Sequence, residues 1–109
     1  EQLRFVHEAI AERCCETLRL DELAALAGMS RYRLLRAFRA VYGMTPHAWQ
    51  LDRRIQHARR LLDKETPLAE IALHLGFADQ SHFQRAFKQR VAVNPGEYRR
   101  LRKRNFVQD

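Results

Sequence analysis

The chain has 109 residues, 46% of them hydrophobic, with 20 Lys and Arg against 13 Asp and Glu for a net charge of +7. That is about one domain's length, too short for these residues to hold several domains of an enzyme, and enough apolar content for a core, which argues against an unfolded polyelectrolyte. No apolar run approaches the roughly 20 residues that span a bilayer and the N-terminus lacks the layout of a secretory signal, so a cytoplasmic protein is expected.

Apolar spacing is helical nearly throughout. Leu3, Val6, Ala9, Ile10 and Cys14 recur at intervals of three and four, predicting a first amphipathic helix that includes the adjacent Cys14 and Cys15. Two neighbouring cysteines make no disulfide framework and fit a reducing compartment. Leu20, Leu23, Ala24 and Ala27 mark a second helix; Leu34, Phe38 and Val41 mark a third. Thr45-Pro46 opens a fourth, with Thr45 as N-cap and Pro46 at the first helical position. It carries Trp49, Ile55, Ala58 and Leu62 and should run about 17 residues, roughly 26 Å. Thr66-Pro67 is expected to cap a short fifth helix in the same way, with Leu68, Ile71, Ala72 and Leu75. Phe83, Ala86, Phe87 and Val91 form a sixth, and Asn94-Pro95 opens a seventh containing Tyr98 and Leu101. Strand-like alternation is nowhere sustained, so the predicted class is all-α, seven helices joined by short turns.

The sequence repeats itself. Leu20, Leu23, Ala24 and Gly28 recur 48 residues later as Leu68, Ile71, Ala72 and Gly76. One extra residue then shifts the offset to 49: Leu34, Arg36, Ala37 and Phe38 match Phe83, Arg85, Ala86 and Phe87, Thr45-Pro46 matches Asn94-Pro95, and Trp49 matches Tyr98. Two copies are too few for a solenoid, so they read as paired modules. The expected organisation is a first subdomain over 1–45, a linker helix over 46–64, and a second subdomain with a basic tail over 65–109.

Each copy is a short helix ending in Gly, a turn, and a helix that starts at a capping residue, Ser30 or Asp79. Gly permits the left-handed conformation that ends a helix, and the cap satisfies amides of the next one. This is the helix-turn-helix pattern, whose second helix lies in the DNA major groove. An ordinary helical hairpin uses the same signals, so charge must help decide. Residues 23–51 and 80–96 contain no acid, while Arg31, Arg33, Arg36 and Arg39 crowd the first stretch and Arg85, Lys88 and Arg90 the second. Arg99, Arg100, Arg102, Lys103 and Arg104 follow in the tail. Such segregation suits a polyanion, although a solvated basic face looks similar.

Projection of the third helix turns Leu34, Ala37, Phe38 and Val41 inward and Arg31, Tyr32, Leu35, Arg36 and Arg39 outward. On the sixth, Phe83, Phe87 and Val91 point inward, which exposes Gln80, Ser81, Gln84, Arg85 and Lys88. Arg pairs bidentately with guanine, Gln with adenine, and an exposed apolar side chain packs on a thymine methyl. Arg31, Arg39 and Lys88 are the expected phosphate contacts.

Leu23-Ala24-x-x-x-Gly28-Met29-Ser30, then Leu34-x-Arg36-x-Phe38 and Gly43-x-Thr45-Pro46, resembles the first half of the AraC/XylS family DNA-binding domain. Ile71-Ala72-x-x-x-Gly76-Phe77-x-Asp79-x-Ser81-x-Phe83-x-Arg85-x-Phe87-Lys88, followed by Asn94-Pro95-x-x-Tyr98-Arg99, resembles the second half more closely still, and the likeness covers about residues 18–100. The resemblance implies two helix-turn-helix subdomains joined by a long linker helix, a transcription regulator, and recognition helices in adjacent major-groove segments of double-stranded DNA. Base contacts carried over by motif fall on Tyr32, Leu35 and Arg36 and on Gln80, Ser81, Gln84 and Arg85. RNA polymerase is a second partner that the resemblance admits. An effector or dimerisation domain is expected elsewhere, the Glu1 start pointing to a fragment of a longer regulator. Two departures stand out: Ala92 replaces the family's usual Gly, so the helix there is expected to end by a different turn, and Asn94 replaces a small hydroxyl cap.

His7, His47, His57, His74 and His82 are scattered, with no metal-ligand spacing, so no metal or other cofactor is expected. Glu12 and Glu16 beside the cysteine pair disfavour a reactive thiolate. Trp49 and Tyr98, each at the start of a matched helix, read as core anchors. With four glycines and no convergent nucleophile, base or phosphate loop, an enzyme is not expected. The competing class is a helical protein-interaction module that binds an acidic partner.

Overall fold

In the computed structural model the described residues are 1–108, with side chains described for 1–103; the Arg104 side chain and Asp109 lie outside them. Seven helices and no strand make up the described residues: α1 (Gln2–Glu12), α2 (Leu20–Ala27), α3 (Arg31–Tyr42), α4 (Pro46–Leu61), α5 (Leu68–His74), α6 (Gln80–Val91) and α7 (Pro95–Gln108). The chain divides into two compact units, 1–53 and 54–109, with the division inside α4.

In the first unit Val6, Ile10, Leu23, Ala24, Ala27, Leu34 and Phe38 are buried together, with Leu3, Leu18, Leu20, Met29, Tyr42 and Trp49 packed around them. Val41, expected inward, is 61% exposed, and Tyr42 takes the place next to Phe38 at a ring separation of 4.7 Å. Leu34, Phe38 and Tyr42 follow one another at four-residue steps, the spacing that keeps a face aligned on a helix. Cys14 and Cys15 are not helical as expected; they occupy the turn after α1, where Cys14 is buried and neither cysteine is in a disulfide. That turn is tied down by Gln50, whose buried Nε2 donates to the Cys14 and Glu16 carbonyls at 3.1 and 2.8 Å. Trp49 Nε1 donates to the His7 carbonyl at 3.0 Å, and the His7 ring stacks on both Trp49 and Tyr42 at 4.2 Å. Burial lowers the His7 pKa below 6.5; the Glu8 charge opposes that shift and Arg53 adds to it.

In the second unit the buried apolar residues are Ile55, Ala58, Leu62, Ile71, Ala72, Leu75, Phe77, Phe83, Ala86 and Phe87. Arg99 donates to the Leu62 and Thr66 carbonyls at 3.2 and 2.6 Å, Arg102 grips Asp63 with two bonds of 3.1 and 3.0 Å, and Lys103 pairs with Glu65. Three cations of the basic tail therefore hold the turn between α4 and α5.

Helix ends follow the sequence signals with two exceptions. Thr45 Oγ1 and Asn94 Oδ1 accept from the Ala48 and Glu97 amides at 3.1 and 2.8 Å, as N-caps should. Thr66 does not cap α5: the helix starts one residue later, and the Pro67 carbonyl accepts from Glu70 and Ile71 at 3.0 and 3.1 Å. The second exception is Ala92. Rather than a different turn, α6 ends in the same left-handed turn as α3, with Ala92 at φ 78°, ψ −9° beside Gly43 at φ 78°, ψ 3°.

Candidate nucleic-acid interface

Both helix-turn-helix turns close identically. In the first, the Met29 amide donates to Ala24 at 3.0 Å and Gly28 to Ala25 at 3.1 Å; in the second, Phe77 donates to Ala72 at 3.0 Å and Gly76 to Leu73 at 3.1 Å. This paired bonding needs a left-handed residue, which Gly28 at φ 65° and Gly76 at φ 91° supply. Ser30 Oγ then accepts from the Arg33 amide at 3.2 Å, and Asp79 Oδ1 from His82 at 2.8 Å, starting α3 and α6. Arg54, buried on α4, donates to the Gly76 carbonyl at 3.2 Å and lies over the Phe77 ring at 5.1 Å, bracing the second turn. Sequence reading missed Arg54 and Gln50; the signal for Arg54 was its place four residues before Ala58, on the buried face.

The outward face of α3 carries Arg31, Tyr32, Leu35, Arg36 and Arg39, all exposed as expected. They are not equivalent. Arg36 Nη1 donates to Tyr32 Oη at 3.3 Å, and its guanidinium sits 5.4 Å from that ring's centroid. Arg31 faces Asp21 at 3.4 Å, an exposed pair of the kind that contributes little and exchanges readily. On α6, Ser81, Arg85 and Lys88 are exposed, whereas Gln80 and Gln84, expected to be fully outward, are half-buried. Gln84 follows Phe83 and precedes Ala86 and Phe87, at the rim of the core. His82 is half-buried and edge-on to Phe77 at 5.0 Å. Arg39, Arg85 and Lys88 have no hydrogen bond or ion pair among the described residues. No His, Cys, Asp and Glu cluster suited to a metal is found among them, and no described helix is long and apolar enough to cross a membrane.

The surfaces of α3 and α6 are thus two short, acid-free helical faces that present long donor side chains, each fixed to its own core through a closed turn. Comparison with known proteins gives the same architecture a context. Residues 23–101 match the family model described as a helix-turn-helix domain. The HTH-type transcriptional regulator MtrA of Neisseria gonorrhoeae is 42% identical over 83 residues, 74% of this chain and 27% of that protein. The RCS-specific HTH-type transcriptional activator RclR of Escherichia coli is 40% identical over 81 residues, 73% of this chain and 28% of that protein. The chain spans little more than a quarter of these relatives' length. Among solved structures, the DNA-binding domain of AdpA in complex with a target DNA matches at TM-score 0.90 with 28% identity, covering 100% of this chain and 99% of that one. A probable AraC family regulator from Rhodopseudomonas palustris matches at TM-score 0.83 with 29% identity, over 91% and 94% of the two chains.

Proposed function

The chain belongs to the AraC/XylS-type helix-turn-helix DNA-binding domains, and from that premise we propose that the outward faces of α3 and α6 read base edges of double-stranded DNA. Tyr32, Leu35 and Arg36 serve one major-groove segment, and Gln80, Ser81, Gln84 and Arg85 serve another, with Arg31, Arg39 and Lys88 on phosphates. The observation that carries this is the pair Arg36 and Arg85, which the 49-residue repeat puts at the same position of two acid-free recognition helices. Arginine offers parallel N–H donors that match guanine O6 and N7, and no carboxylate in either helix competes for them. Gln80 and Gln84, half-buried, keep enough exposed surface for such contacts.

For the whole protein, the proposal is a cytoplasmic, non-enzymatic regulator of transcription. This domain selects the site, an effector or dimerisation domain in the remaining length controls it, and RNA polymerase is the machinery it acts on. Discrimination between base sequences, beyond attraction to charge, separates this reading from binding to an acidic protein.

Selection of bound duplexes from a random pool tests it. Arg36→Ala and Arg85→Ala should each cost about 1–3 kcal/mol on the preferred site and relax one base pair, a different one in each case. Even losses over every sequence in both variants would make these arginines backbone clamps and overturn the assignment.

A further inference from the structure

We propose that Tyr32 is a positioning residue that braces the Arg36 guanidinium, so that the first motif presents its guanine reader already oriented while the second motif does not. This rests on the base-reading role given to Arg36 above and replaces the direct base contact given there to Tyr32. The two residues are one helical turn apart on the outward face of α3, the spacing at which side chains meet. Tyr32 holds Arg36 in two ways at once: its Oη accepts from Arg36 Nη1 at 3.3 Å, and its ring lies 5.4 Å below the guanidinium carbon. The ring limits where the guanidinium can swing, and the hydrogen bond holds one of its nitrogens in place. Only one of five N–H donors is used, leaving enough for a bidentate pair with guanine. Tyr32 itself is 67% exposed, so the ring stands on the groove-facing surface with its arginine.

The repeat supplies an internal contrast. At the 49-residue offset Tyr32 corresponds to Ser81 and Arg36 to Arg85. A serine side chain has no ring to place under a guanidinium, and Arg85 has no hydrogen bond among the described residues. Arg85 must therefore give up its rotamer freedom on binding, whereas Arg36 has given up part of it beforehand, and such preorganisation strengthens binding without adding any interaction. The consequence is an unequal pair of readers on matched scaffolds.

The experiment is a base-preference profile of the 109-residue chain with Arg36→Ala, Tyr32→Ala, Tyr32→Phe, Tyr32→Ser and the double variant Tyr32→Ala/Arg36→Ala, each checked for unchanged helical content. Arg36→Ala should abolish discrimination at one base pair. Tyr32→Ala and Tyr32→Ser should lower discrimination at that same base pair by about threefold to tenfold, the size expected from one stack and one freed side chain. Tyr32→Phe, which keeps the ring, should recover part of it, and Tyr32→Ala should add nothing once Arg36 is gone. Upfield-shifted Arg36 side-chain protons in the free protein, returning to ordinary positions in Tyr32→Ala, would register the brace directly. Relaxation at a second base pair, or a loss that persists without Arg36, would make Tyr32 a base contact in its own right and overturn the proposal while leaving the reading of Arg36 intact. No change in Tyr32→Ala would overturn it as well. Arg36→Ala without effect on any base preference would instead bring down the reading of Arg36, and the brace with it.

Discussion

Replacing Ala92 by glycine should stabilise the second unit, and the size of the gain can be worked from its backbone. Ala92 is the one described residue other than glycine with positive φ, at 78°. In that region the Cβ crowds the neighbouring carbonyl at a cost of roughly 1–2 kcal/mol, which glycine avoids. Glycine gives back about 0.4–1 kcal/mol through the greater freedom of the unfolded chain. The net expectation for Ala92→Gly is about 0.5–1 kcal/mol of added stability, or roughly 2–8 °C in Tm for a unit of this size. Gly43 is the mirror experiment. A Cβ there would meet nothing within 4 Å, so Gly43→Ala isolates the backbone cost and should destabilise the first unit by a similar amount. Urea and thermal unfolding followed by circular dichroism measure both. If Gly43→Ala is costly while Ala92→Gly is neutral or destabilising, α6 does not end in a left-handed residue and the reasoning fails.

Three other outcomes are expected. Arg39→Ala and Lys88→Ala should weaken binding to all duplexes alike and make the log-log salt slope shallower by about 0.9 for each phosphate no longer neutralised; a changed base preference in gel-shift titrations would contradict the phosphate assignment. Gln50→Leu should cost about 1–3 kcal/mol, because the Cys14 and Glu16 carbonyls are deprived of their donor; a neutral result in denaturant titration would show that water replaces it. Because the His7 pKa is lowered in the fold, the unfolded chain takes up a proton first. Stability should therefore hold above pH 6.5 and fall as pH drops from there toward the native pKa. His7→Phe should flatten that part of the pH profile, and an unchanged slope would clear His7 of responsibility.

Much of the fold was legible because the signals are local. Gly28, Gly76, Ser30, Asp79, Thr45 and Asn94 act within a few residues of themselves, and each ends or starts a helix where the sequence indicates. Thr66 shows the limit: a hydroxyl next to proline looks like a cap, but Pro67 takes the flanking place and its carbonyl accepts the first helical bonds. Ala92 misled for the opposite reason, since the tendency of alanine to avoid positive φ is overridden when the same turn must be closed. Long-range roles left fainter traces. Arg99 and Arg102 read as tail charge, yet their guanidiniums are taken by the turn that follows α4, and no sequence spacing announces a bond 37 residues away. The outward set on α3 was visible from helical projection alone, whereas the link between Tyr32 and Arg36 depends on rotamers that projection does not specify.

Trp49 is the chain's single tryptophan, and it is clamped within the first unit by its bond to the His7 carbonyl and its stack on the imidazole. Its emission is therefore an optical channel seated in the core of that unit. Imidazolium quenches a stacked indole more strongly than neutral imidazole does, so the same channel reports the protonation state of one histidine without any label. A protein built from two near copies of one motif thus carries a reporter that tells the copies apart.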